Sequence, residues 1–188
     1  MKKKIYLLCL AMVFMFASYV EFIGPISINL FPGFIGPILL FVLAGEYLRE
    51  SMLARVLRPV CVAAAIYSGW FYVAVMIDYS KIAESFTGNV LSLVETCLQL
   101  IVCYLLILML QNVSAYLAKS VPQIGTALLW FAIVAFASAG VYFCGGAMAV
   151  ISRIIQYVAV IVMTVMLAKG IAQLEQQDKK PRIHMRRK

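Results

Sequence analysis

Charge is scarce in this chain, and histidine is scarcer still. Only 13% of the 188 residues are charged, against about one-quarter in soluble domains. The one histidine is His184. It has no second histidine and no carboxylate cluster beside it, so a metal centre lacks a ligand set. The five cysteines, Cys9, Cys61, Cys97, Cys103 and Cys144, form no CxxC pair and all lie in apolar segments. That argues against a disulfide framework, because free cysteine among apolar neighbours behaves as a small hydrophobe. No Asp lies inside an apolar run, and no Cys stands next to a base. An intramembrane enzyme would need a nucleophile–base pair, a metal set or paired carboxylates. None is present, so the chain is read as a non-enzyme without a cofactor. A nucleotide-binding P-loop is also missing.

What remains is overwhelmingly apolar. Hydrophobic residues make up 64% of the chain, more than a water-soluble fold of this size can bury. A spanning helix takes about 20 mostly apolar residues. The sequence divides into six such runs, expected at about 5–20, 31–48, 60–77, 90–110, 124–143 and 147–168. The fold class predicted is therefore an all-α integral membrane protein, a compact bundle of six transmembrane helices. Residues 1–170 form the six-span domain and 171–188 a basic tail. A cleaved signal peptide is the competing reading for the first run, since Lys2, Lys3 and Lys4 precede it. An A-x-A-like cleavage pattern is lacking there, and Phe16, Tyr19 and Phe22 crowd the place where one would sit.

The basic residues then orient the bundle. Of the 16 Lys and Arg residues, only Lys81 and Arg153 fall on or near one side of these spans. The others lie before span one, between spans two and three, between spans four and five, or after span six. By the positive-inside rule the rich side is cytoplasmic. Both termini are expected there, with the protein in a plasma membrane of the bacterial inner-membrane type. A net charge of +8 would suggest nucleic acid in a soluble protein. Here it sits at the ends and in one loop, and nucleic acid is not an expected partner. The tail KKPRIHMRRK offers Lys179, Lys180, Arg182, Arg186, Arg187 and Lys188 to anionic lipid or to an acidic partner protein. Each such charge near an anionic surface contributes about 1 kcal/mol.

Residues 22–38 read FIGPISINLFPGFIGPI. Three prolines and three glycines there forbid one regular helix, since proline lacks the amide donor and clashes with the preceding turn. A Pro/Gly-rich outer connection between helices 1 and 2 is expected, either extended or re-entrant. Interrupted segments of this kind are where many carriers place substrate.

Polar residues inside the runs mark the candidate site. Glu95 and Gln99 are four residues apart and share a helical face, which Ser92 extends by a turn. Arg153 and Gln156 are neighbours on span six. Glu21 ends span one on the outer side. Intramembrane charges are costly and usually face a bundle interior or a cavity. The substrate-binding residues expected are thus Glu21, Ser92, Glu95, Gln99, Arg153 and Gln156, with a Glu95–Arg153 ion pair as one arrangement. Ala65-x-x-x-Gly69 and Ala135-x-x-x-Ala139 are small-residue pairs suited to close helix packing or self-association.

Two functions follow as expectations. One is a small-solute carrier, or the membrane-embedded substrate-binding subunit of a transporter. In size and span count the chain resembles the substrate-binding subunits of energy-coupling-factor importers, and no motif carries that likeness further. The other is a non-transport scaffold, assembly factor or regulator acting through the basic tail. A membrane protein partner or a homo-oligomer fits either.

Overall fold

The apolar runs fold into helices whose ends are placed by proline, glycine and capping side chains. The computed structural model describes the backbone of residues 2–17, 20–23, 26–48, 51–77, 85–118 and 120–178, and the side chains of these except 20–29 and 177–178. Helix α1 spans Lys2–Phe16. A short antiparallel ribbon follows, β1 (Val20–Ile23) with β2 (Ile26–Asn29), in the register Val20↔Asn29 to Ile23↔Ile26. Then come α2 (Ile35–Gly45), α3 (Met52–Ile77), α4 (Phe86–Tyr116), α5 (Pro122–Phe143) and α6 (Gly146–Asp178).

The local reasons are legible. Ser85 caps α4, its hydroxyl accepting the Gly88 amide at 2.9 Å, which satisfies one of the free donors of the first turn. Pro122 opens α5 at a position where a missing N–H costs nothing. Gly146 turns the chain from α5 into α6 with φ +55°, a backbone conformation that glycine adopts without steric cost. Pro59 lies inside α3, which continues through it.

Four helices are long and apolar enough to cross a membrane: α3, α4, α5 and α6. The first two runs differ from expectation. Helix α1 has 15 residues and α2 has 11, so each falls short of the roughly 20 that cross a hydrocarbon core. The physical cause is the Pro/Gly segment. It holds residues 20–23 and 26–29 extended, and Pro32-Gly33 keeps residues 31–34 out of the helix. At the other end of the chain, α6 stays helical through Asp178, past the boundary expected at residue 170. The tail residues Lys179, Lys180, Arg182, Arg186, Arg187 and Lys188 lie outside the described residues.

Each helix packs on the next, and α1 also packs on α6, which closes the circuit. Buried positions follow helical spacing: Leu8, Ala11, Met12 and Met15 on α1, and Ala54, Leu57, Cys61, Ala64 and Ser68 on α3. Helix α4 carries the longest buried stripe, including Val102, Cys103, Leu106, Met109, Leu110 and Val113. Large apolar side chains point outward elsewhere, Phe136 at 84% exposure among them. In water such a surface would aggregate; in hydrocarbon it is the expected outer face. At the end where α1 begins, Lys4 pairs with Glu175 of α6 at 3.4 Å and lies 4.2 Å from the Tyr47 ring centroid. Glu46, just past the end of α2, meets Lys3 at 3.2 Å.

Close packing of α1 on α2 depends on Gly36. A methyl group there would run into the Met15 side chain and come within 2.8 Å of the Ala11 carbonyl oxygen. Gly45, at the other end of the same helix, has open space around it. Gly36→Ala is expected to cost about 1–3 kcal/mol through overpacking, whereas Gly45→Ala should be neutral or stabilising by up to about 1 kcal/mol. Thermal unfolding of the two variants in the same detergent checks this; equal shifts would disprove the packing.

Candidate functional site

The ends of four helices converge with one irregular segment to enclose a polar cavity of about 180 Å³. It is lined by Phe14–Ala17 at the end of α1, Phe31 and Gly33 in the segment before α2, Ser92, Glu95, Thr96 and Gln99 on α4, Tyr142 on α5, and Arg153 and Gln156 on α6. Glu95 lies nine residues along α4 and Arg153 seven along α6. At 1.5 Å per residue these are about 14 Å and 11 Å from the helix starts, so the two reach similar levels in neighbouring parts of the bundle.

Five of the six expected residues therefore meet in one place: Ser92, Glu95, Gln99, Arg153 and Gln156. The sixth, Glu21, has its backbone in β1, and its side chain is outside the described residues. The expected Glu95–Arg153 ion pair is not formed among the described residues. Arg153 is exposed at the rim, while Gln156, on the adjoining face of the same helix, turns inward and is 6% exposed. Helical geometry puts the amide, rather than the guanidinium, in the interior.

Spacing on α4 accounts for most of the convergence. Ser92, Glu95, Thr96 and Gln99 recur at three- and four-residue intervals, which stacks them on one face. Hydroxyls bind the upper part of that face to α5. The Tyr142 hydroxyl lies 2.8 Å from both Ser92 Oγ and Thr96 Oγ1, and it donates to the Ser92 carbonyl at 3.1 Å. Thr96 Oγ1 also donates to the Ser92 carbonyl, at 3.0 Å. Across the cavity, Gln156 Nε2 donates to Ser138 Oγ at 2.9 Å, and Ser138 Oγ donates to the Val134 carbonyl at 2.7 Å.

Other polar groups are left open. Gln156 Oε1 is buried without a hydrogen-bond partner. Gln99 is 7% exposed, and its amide makes no hydrogen bond within the described residues. Ser68, on α3, adjoins Glu95 behind the cavity lining. A buried polar group without a partner costs roughly 1–3 kcal/mol, so the amides of Gln99 and Gln156 give the cavity unused bonding capacity.

The irregular segment is held from both sides. Phe31 packs edge-on against Phe14 of α1 with centroids 6.0 Å apart, and Phe34 against Tyr72 of α3 at 5.7 Å. Gly69, half of one small-residue pair, faces Phe34, and a Cβ added there would make ordinary contact at 3.8 Å. Between these anchors Gly33 comes down on the carboxylate. A Cβ at residue 33 would sit 2.8 Å from Glu95 Oε1 and 3.3 Å from Gln99 Nε2.

Sequence reasoning missed Gly33, Ser68, Thr96, Ser138 and Tyr142 as parts of this site. Thr96 could have been found, since it shares the face of Ser92 and Gln99. Ser68 and Ser138 read as ordinary small residues of apolar helices, and Tyr142 as an interfacial aromatic. No protein-family model, curated protein or solved structure matches the chain.

The contact of Gly33 with Glu95 yields a double-mutant test. Gly33→Ala should cost about 1–2 kcal/mol, the range of modest overpacking. In a Glu95→Ala background the same change should cost less than half as much, because the atom it strikes is gone. Unfolding temperatures of the four proteins measure the coupling; a cost independent of Glu95 would refute the contact.

Proposed function

We propose that this chain is a six-crossing membrane protein that binds a small polar solute in the α1–α4–α5–α6 cavity. It would act as a carrier or as the membrane-embedded substrate-binding subunit of a transporter. One observation carries the reading: Gln99 and Gln156, both more than nine-tenths buried, line the same cavity with hydrogen-bonding capacity that the protein leaves unused. Ligand sites combine an apolar wall with a few convergent polar groups. Here Phe14, Met15, Phe16 and Phe31 supply the wall.

The break before α2 supports the same reading. Irregular backbone at membrane depth is tolerated where it is buried in protein or lines a cavity, and interrupted helices commonly frame a carrier's binding site. In this proposal α1 and α2 count as crossings, with the Pro/Gly segment as a re-entrant connection that dips to the level of Glu95. In this reading the Lys-rich start of α1 and the basic tail after α6 face the cytoplasm of a bacterial inner membrane, where the tail's charges meet anionic lipid. The cavity then opens toward the outer side.

The reading is tested by native mass spectrometry of protein gently extracted from its own membrane. Wild type should carry a small polar adduct. Glu95→Gln should lose it, with at least a tenfold drop in occupancy, while remaining in the membrane at normal abundance. Identical adduct patterns in the two proteins would remove the cavity from consideration as the binding site.

A further inference from the structure

Glu95 and Arg153 are the two formally charged side chains that line the cavity, and they do not pair with each other. Glu95 is half-buried beneath Gly33 and beside Gln99. Arg153 is exposed at the rim. The cavity therefore presents a carboxylate inside and a guanidinium at its mouth. A solute that carries one charge of each sign and fits between them would meet both at once. A lone amine would be drawn to Glu95 and repelled by Arg153. A lone carboxylate would face the reverse. A dipolar molecule gains from both contacts.

The rest of the lining bears on the same class. The unused capacity of Gln99 and of Gln156 Oε1 lies among the groups facing such a molecule. The hydroxyls of Ser92, Thr96 and Tyr142 already bond one another, so they act as a wall. A volume of about 180 Å³ is ample for a small solute, since one water molecule takes roughly 10–15 Å³ of such space. That is room enough for a short dipolar molecule.

Resting on the cavity reading above, the geometry points to a small zwitterionic amino acid as the solute. Its ammonium group meets Glu95, its carboxylate turns toward Arg153, and its short side chain lies against the aromatic end of α1.

The experiment compares three probes of matched size, alanine, propylamine and propionate, by calorimetric titration into the full-length protein in nanodiscs. Alanine should bind at least tenfold more tightly than either singly charged probe. Glu95→Gln and Arg153→Gln should each weaken alanine at least tenfold, while Arg153→Gln leaves propylamine equal or tighter. Glu95→Asp and Arg153→Lys should keep the preference for alanine, which separates a charge effect from a folding defect. If propylamine binds as well as alanine and Arg153→Gln alters neither, the zwitterion inference falls and the cavity reading stands. Binding of propionate alone, lost in Arg153→Gln, would overturn the inference in the same way. If none of the three probes binds to wild type while native mass spectrometry finds another solute, the cavity survives and the amino-acid class does not. If neither method finds a ligand, both are overturned.

Discussion

The approach of Gly33 to Glu95 and Gln99 is the contact on which the site depends. A carboxylate part-way along an apolar helix needs some surface that is neither hydrocarbon nor another charge. The segment before α2 supplies it because residue 33 has no side chain. Two aromatic pairs, Phe31 with Phe14 and Phe34 with Tyr72, pin that segment to α1 and α3. Offset or edge-on aromatic pairs contribute about 0.5–1.5 kcal/mol beyond their buried area. The loop is therefore held by apolar packing on its flanks and can present bare backbone at its centre.

The helix circuit serves the same end. Helices α4, α5 and α6 are tied near the cavity by side chains with no charge: Tyr142 to Ser92 and Thr96, and Gln156 to Ser138. At the opposite end the ties are ionic, Lys3 with Glu46 and Lys4 with Glu175. This division suits a bundle in lipid. Ions near a helix end can reach water or headgroups, while interior cross-links are better made by neutral donors and acceptors that cost less to desolvate. The pocket between α1 and α6 lined by Cys9, Met12, Tyr157 and Val160 lacks this polar content and lies on a face that hydrocarbon would cover.

Much of this could be read before any coordinates. The polar face of α4 was visible as a three- and four-residue spacing, and Arg153 and Gln156 as neighbouring polar groups in an apolar run. What was not visible was which of two adjacent polar groups on α6 would face inward. Arg153 and Gln156 are one turn apart, and a rotation of the helix by less than half a turn exchanges their roles. That rotation is set by the packing of α6 on both α5 and α1, which no local pattern encodes. The partner loop was likewise legible only as a break in helix. Pro32-Gly33 announced irregular backbone, not its destination.

Composition and periodicity by themselves determined that the chain is helical and apolar, roughly where its helices lie, and which face of α4 is polar. These follow from short-range physics: backbone donors, steric exclusion by proline and glycine, and side-chain repeat. Tertiary structure decided that the first two runs yield helices too short to match their apolar length, that Gly33 seats on Glu95, and that Glu95 and Arg153 share a cavity without joining. Each of these depends on contacts between residues dozens of positions apart. Such contacts are fixed by how six helices fill space together, and a linear pattern does not record that.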